Sequence, residues 1–409
     1  MENGKKKVLI VHNYYQIPGG EDTVVENEKK LLEEHGHKVV LYTRHNLEIK
    51  DMSRLQKLRL PFTTIYNPIT YYEIKRIIQE EHIDIVHVHN TLNLISPAVY
   101  YAAVKCSVPV IQTIHNFRLL CPGHAFYLKD HICEECVEKG LWCAVKHGCY
   151  RGSKAQTLVY VTGIKIHRWT GIYRKLGYIC LTEFNREKLL QLKQVKLEKV
   201  FVKPNFVEAD ETIIPYAQRE EQYIFAGRLD KLKGIDVLLK AWKMMKKNAP
   251  KLIICGTGPM EEWCKEFIRK NELDSIEING FIPNKEVKRL IANSKALILP
   301  TLWYEGFPMS IVEAYSVGTP VICSDLGNAG SVVEEGVTGF KFCPGEAEEL
   351  ISAVKRSQDK MIIESVIKIY QKKYTAKHNY EYLNYIYNAI IAMEKNYEPL
   401  AESYKNTGS

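Results

Sequence analysis

One feature constrains this chain more than any other: an alternation of short apolar runs with helical patterns that fills the first half, lapses, and begins again. Residues 8–11, 37–42, 83–88 and 108–114 read as strands. Residues 22–36 and 72–81 read as helices, the first with Val24, Val25, Leu31 and Leu32 on one side and Gly36 as its stop. Strand-like runs return at 223–226, 251–255, 276–279, 296–299 and 320–323, separated by helical patterns at 234–247, 260–271, 284–293 and 308–317. Such alternation marks a parallel sheet covered by helices on both faces. The expected class is α/β, with two doubly wound, Rossmann-like domains facing across a cleft. Residues 1–205 make the first and 206–379 the second, with the stretch 203–222, which holds Pro204 and Pro215, as linker. Helices end the chain from 346, and residues 380–398 are expected to pack back on the first domain. A length of 409 residues accommodates two such cores.

Several classes are excluded early. The apolar run at 8–11 meets His12 and Asn13 at once, so it is a buried strand and no signal peptide. The longest stretch without Asp, Glu, Lys or Arg, 85–104, carries His87, His89, Asn90, Asn93 and Pro97 and cannot span a bilayer. The expected compartment is the cytoplasm. Ligands of open parallel sheets bind outside the carboxyl ends of the strands. Glycine-rich turns stand at those ends: Pro18-Gly19-Gly20, Gly227-Arg228 and Gly256-Thr257-Gly258-Pro259.

Two segments of the second half point to a phosphorylated ligand. Arg228 follows a strand and Lys233 precedes a helix beginning near Gly234. A forked guanidinium and a mobile ammonium on one strand-to-helix loop suit a diphosphate; in isolation the pair reads equally well as a solvated loop. Further on, Glu305 precedes Gly306-Phe307-Pro308, and Pro308 opens a helix that carries Glu313. Free amides at a helix start form an anion site, and a carboxylate such as Glu313 can accept from both hydroxyls of a ribose.

Taken in order, Gly19-Gly20-Glu21, His115, Arg228 with Lys233, and Glu305 through Glu313 resemble the retaining glycosyltransferases of family 4, which have the two-domain GT-B fold. Residues 36–43, 84–90, 181–189, 203–207 and 256–260 match that family's pattern as well, so the resemblance runs from residue 7 to about 345. It implies that Arg228 and Lys233 bind the diphosphate of a nucleotide-diphospho-sugar donor and that Glu313 binds its ribose. Glu305 and the amides near Gly306 and Phe307 would hold the transferred sugar. Gly20 and Gly256 would complete the donor site, and His115 would contact the sugar from the first domain. Glu21, Asn90 and Asn116 would lie on the acceptor side. The resemblance further implies chemistry without a catalytic metal or cofactor and with retention at the anomeric carbon, in the EC 2.4 class. The transferred group would be a hexose or deoxyhexose, and the acceptor a growing surface glycan or polyprenyl-diphosphate-linked saccharide of the capsule or O-antigen kind. One loop departs from the pattern: Asn328 and Ser331 stand where a second Gly and a Glu would fall.

Five of the eleven cysteines gather at Cys121, Cys133, Cys136, Cys143 and Cys149. The two-residue spacing of Cys133 and Cys136 is that of structural zinc. Two readings stand open: a zinc held by Cys121, Cys133, Cys136 and Cys149, with His124, His131 and His147 as alternative ligands, or a set of buried thiols in a long loop. A similar insertion ending in Cys-x-Arg-Gly-Ser occurs in polysaccharide-building members of the family.

The net charge of +8 is unevenly placed. Residues 151–200 hold eleven Lys or Arg against three acids and account for the whole excess. Within them, 153–178 reads as a basic helix with Trp169 and Tyr173 and suits an anionic membrane surface, though its apolar side suits a domain core equally. The expected protein is thus peripheral to the inner face of the cell membrane. A nucleotide-sugar epimerase of the same fold is the main alternative, separable by incubation with donor alone. A nicotinamide enzyme would want G-x-G-x-x-G after the first strand, which Gly19-Gly20 does not supply. No nucleic-acid-binding module is recognisable.

Overall fold

In a computed structural model the chain folds into two α/β units. The structure describes residues 4–16, 19–208, 213–358 and 363–405, with 395–405 by backbone alone; Pro18 lies outside them. The first unit holds the described residues of Met1–His124, Cys133–Lys203 and Tyr380–Ser409, the second those of Ala125–Ile132 and Pro204–Asn379.

The first unit contains strands β1 (Lys7–Tyr14), β2 (Lys38–His45), β3 (Ile85–Asn90) and β4 (Val110–Ile114). A short hairpin, β5 (Tyr127–Leu128) and β6 (His131–Ile132), comes next in the chain, followed by β7 (Gly177–Cys180) and β8 (Val200–Val202). The hairpin apart, these strands form one parallel sheet in the order β2-β1-β3-β4-β7-β8. Strands β3, β4 and β7 are buried along their whole length, as strands covered on both faces are, with His87, His89, Asn90, Gln112 and Thr113 among their apolar residues. The C-terminal helix Ala376–Lys405 covers one face. Its Leu383, Ile386, Tyr387 and Ile390 join Val8, Ile10, Ile85, Ile111 and Ile179 in one apolar cluster. Gly177 belongs to that contact, since a Cβ there would come within 2.6 Å of Ile390 Cδ1.

The second unit contains β9 (Gln222–Ala226), β10 (Lys251–Cys255), β11 (Ile276–Gly280), β12 (Ala296–Leu299), β13 (Val321–Ser324) and β14 (Gly339–Phe342), a parallel sheet ordered β11-β10-β9-β12-β13-β14. That is the doubly wound order with its switch point between β9 and β12. Residues 125–132, expected in the first domain, belong here: Lys231 Nζ donates to Asp130 Oδ2 at 2.7 Å, and the Phe126 and Tyr304 rings meet edge to face. The expected linker is no free tether either. Arg219 is buried and donates to the carbonyls of Ile214, Ser294, Val317 and Gly318 and to Thr319 Oγ1, fastening residues 213–222 to the second unit.

Candidate active site

The ends of the second sheet carry the residues with donor-type chemistry. Beyond β9, Asp230 caps a short 3-10 turn, Lys231–Lys233, by accepting from Lys233 N at 3.1 Å. The chain then turns at Gly234, whose φ of +68° and contact with Pro300 leave no room for a side chain. The turn aims Lys233 at Glu305: Nζ donates to both carboxylate oxygens, at 2.8 and 2.9 Å. Glu305 is buried and also accepts from Thr301 Oγ1 at 2.9 Å. Asn328, at the departure from the family pattern, donates its amide to the carbonyls of Glu305 and Gly306 and so fixes the turn that presents the carboxylate. Helix Met309–Ser316 starts three residues after Gly306, one residue later than expected, with Pro308 at its cap position.

Arg228 is mostly exposed and, among the described residues, pairs with Asp230 alone, Nε to Oδ2 at 3.2 Å. Its guanidinium is therefore free to turn toward a ligand at small cost. Glu313, in the second turn of its helix, accepts from Asn284 Nδ2 at 2.9 Å. Phe307 packs partly against the core. Gly256 has a packing reason of its own: at φ +135° a Cβ would stand 2.0 Å from the Gly227 carbonyl oxygen.

The first unit presents a histidine chain. His115 Nε2 and His89 Nδ1 are 3.0 Å apart, and His89 Nε2 lies 3.5 Å from Glu28 Oε2. Glu28 is paired with Lys203 at 2.6 Å, both being almost fully buried. His89 Nε2 and Glu28 Oε2 otherwise lack a partner, and a proton on His89 Nε2 satisfies both. His89 Nδ1 is then an acceptor, His115 Nε2 the donor, and His115 Nδ1, which has no protein partner among the described residues, keeps its lone pair. Burial, reinforced by the neighbouring histidines and by Lys203, holds His89 and His115 well below the usual histidine range, so both are neutral. Glu28, His87 and His89 are close enough to hold a metal. However, Lys203 already occupies the cationic place beside Glu28, and the two nitrogens of His87 are taken by Tyr387 Oη and Thr113 Oγ1 at 2.7 Å each.

His115, Asn90 and Asn116 line one small cavity of about 70 Å³ with His89 and Arg118. Asn90 is committed to the backbone, donating to the Asn13 carbonyl and accepting from Leu92 N. Asn116 Oδ1 accepts from Arg118 N at 3.2 Å. Gly20 is the first residue of helix Gly20–Glu34, and a Cβ at the preceding Gly19 would touch nothing in the protein. Glu21 accepts from Tyr15 Oη at 2.9 Å, and burial pushes its carboxyl up to about 7.

Among the described residues no three of the cysteine sulfurs lie within 4.8 Å of one another, although Cys121, Cys133 and Cys143 all lie close enough to act on the Cys149 thiol. Cys136, with Cys143 and Cys149 against it, packs with Leu141, Ala144, Val161 and Ile164. Burial, reinforced by the neighbouring cysteines, pushes the Cys136 thiol up to about 12 and that of Cys149 to about 11 when no metal is bound.

Sequence reasoning missed Glu28, Lys203, Thr301 and Arg118; Lys203 opens a matching segment, and the others lie between or beside the segments. The alternation of His87 and His89 on β3 was the one available signal, since two histidines on a strand share a face.

The fold and this pair of sites define a class, and comparison with known proteins gives the same one. Residues 18–211 match the description "Glycosyltransferase Family 4" and residues 208–373 match "Glycosyl transferases group 1". The chain belongs to the group 1, family 4 glycosyltransferases of GT-B fold. It is 26% identical to an uncharacterized glycosyltransferase of Methanocaldococcus jannaschii over 97% of this chain and 99% of the relative. It is 30% identical to the amylovoran biosynthesis glycosyltransferase AmsK of Erwinia amylovora over 32% of this chain and 34% of that one. Its fold is that of Anabaena HepE solved with UDP, with a TM-score of 0.64 at 17% identity over 92% of this chain and 98% of HepE.

Proposed function

We propose that this glycosyltransferase moves a hexose or deoxyhexose, with retention, from a nucleotide-diphospho-sugar to a hydroxyl of a growing surface glycan or lipid-linked saccharide. The observation that carries the reading is the Lys233–Glu305 pair held at the turn into helix Met309–Ser316. A cation, a carboxylate and free helix amides within one turn match a sugar joined to a diphosphate. Lys233 and Arg228 compensate the charge that grows on the departing diphosphate as its bond to the anomeric carbon breaks. Glu305 accepts from the sugar hydroxyls and Glu313 from the ribose. The acceptor oxygen attacks the same face through an oxocarbenium-like, ion-paired state, and the neutral His115 offers its Nδ1 lone pair to the sugar. The relative named for amylovoran biosynthesis and the HepE structures with UDP and UDP-glucose support the polysaccharide setting and the donor class. A panel of nucleotide sugars, with and without glycan acceptors, tests it by product NMR. Transfer with retention is expected; conversion of the sugar nucleotide with no acceptor present would identify an epimerase instead.

We also propose peripheral attachment to an anionic membrane, led by a helix that packs against the basic one, where Gly163 lies against Ile65. No helix among the described residues is long and apolar enough to cross a membrane. In helix Lys154–Trp169, Arg168 donates to the Leu119 carbonyl, while Lys165 is exposed and lies over the Trp142 ring at 4.2 Å. Helix Arg54–Ile65 buries no residue, and its Leu55, Leu58 and Phe62, spaced along one face, are each about seven-tenths exposed. Arg54, Lys57 and Arg59 flank them, with no acid in the helix. An apolar stripe edged by cations suits an interfacial helix. Flotation with phosphatidylserine vesicles should be lost in a Leu55→Ser/Leu58→Ser/Phe62→Ser variant of unchanged stability; equal flotation refutes the assignment.

A further inference from the structure

The first unit contains a second, larger cavity of about 310 Å³, bordered by Tyr15, Asn46, Asn93, Arg118, Tyr150 and Arg151 among others. That volume falls in the range of small-ligand sites, about 300–1,000 Å³. Its chemistry is lopsided. Arg118 directs no side-chain N–H to any acceptor among the described residues, and its Nε is sealed from solvent without a partner. The guanidinium lies over the Tyr15 ring, 5.8 Å from the centroid. A buried donor such as this Nε, left without an acceptor, is costly, and in a native protein it calls for an explanation. Arg151 adds a second cation at the rim, lying over the Tyr150 ring at 5.5 Å. Tyr150 is itself fixed by donating to Asn93 Oδ1 at 3.0 Å. Glu21 is close enough to feel Arg118 but makes no ion pair with it within 4.0 Å, and burial keeps part of the Glu21 population neutral near pH 7. Two cations, two aromatic faces and two amides around one cavity are the elements of a site for a sugar bearing an oxyanion.

We infer that this cavity is an acceptor subsite which receives an anionic group, a carboxylate or a phosphate, carried on the acceptor saccharide, with Arg118 as its forked anchor. The inference rests on the glycosyltransferase reading and narrows its acceptor class to anionic saccharides. It assigns a role to the loop from Phe117 to Arg151: the loop closes one side of the cavity through Cys149, Tyr150 and Arg151, which makes it a wall of the acceptor site. A planar fork favours bidentate carboxylate or phosphate, whereas a lysine ammonium would hold either as a point charge only.

The test is calorimetric titration of the full chain, saturated with UDP so that the donor site is filled. The probes are methyl glucuronide, glycerol 1-phosphate and the neutral methyl glucoside. One or both anionic probes should bind at least tenfold tighter than methyl glucoside, and which of them does so separates carboxylate from phosphate acceptors. Arg118→Met should bring anionic binding down to the methyl glucoside level, and Arg118→Lys should keep an intermediate preference. Because Arg118 makes no hydrogen bond to the protein through its side chain, Arg118→Met should keep its Tm. Equal affinity for all three probes in the wild type, unchanged anion binding in Arg118→Met, or a large loss of Tm in that variant would each overturn the inference. UDP binding measured in the same samples reports on the donor site separately, so a failure of the glycosyltransferase reading would appear there and not in the probe comparison.

Discussion

Replacing Lys233 by Met keeps most of its aliphatic stem and removes the charge that faces Glu305. The structure sets the magnitude. The Glu305 side chain is 7% exposed and that of Lys233 24%. Removing one partner of a fully buried pair costs about 3–5 kcal/mol. With a quarter of the lysine in water the expected loss is about 2–3 kcal/mol, and Thr301 still donates to Glu305 Oε1. For a unit of this size that lowers Tm by roughly 4–12 °C, at about 2–4 °C per kcal/mol. Adding Glu305→Gln to Lys233→Met removes the stranded carboxylate and should return most of the stability. Activity should not follow. Lys233→Met should lower kcat/KM by about 10²–10³, the scale for one group stabilising transition-state charge, and the double variant should be no more active. Calorimetric melting and steady-state transfer with the cognate nucleotide sugar measure both quantities. If the second substitution restores transfer along with Tm, Lys233 serves only to neutralise Glu305 and its role at the diphosphate is wrong.

Glu28→Gln should turn its amide toward His89 and reverse the proton order along the chain, lowering kcat at least tenfold with donor KM unchanged. Long-range proton–nitrogen correlation spectra should show His115 Nδ1 unprotonated in the wild type and protonated in the variant, and an unaltered spectrum would refute the chain. Glu21 binds its proton more tightly folded than unfolded, since burial raises its pKa from 4.5 to about 7. Its contribution is therefore present on the acid side and lost as pH rises across that interval, and Glu21→Gln should flatten the decline in urea-unfolding stability over the same window. Elemental analysis of protein purified without chelator separates the two readings of the cysteines: about one zinc per chain is expected if they are ligands, and well under one if they are buried thiols.

Much of this arrangement was legible before any coordinates, for a physical reason. Parallel strands buried on both faces leave runs that are mostly apolar and free of charge in their middle, so β3, β4, β9 and β10 announce themselves. Short strands beside Gly or charged neighbours do not: β7 begins at Gly177 because Ile390 lies against it, a reason that sits more than two hundred residues away in the chain. Helix Arg54–Ile65 escaped notice because Pro61 lies inside it. Its start was nonetheless written as a capping box, Ser53 with Gln56, in which each side chain meets the other's backbone N–H. Sites divide along the same line. Lys233 and Glu305 could be paired because turn and helix-start residues announce where a loop ends. The Glu28–His89–His115 chain could not, since a helix, two strands and the buried Lys203 contribute one group each and nothing in their spacing relates them. Arg118 is the hardest kind to foresee. What distinguishes it from any other loop arginine is the absence of protein acceptors around its guanidinium among the described residues, and that only the fold can show.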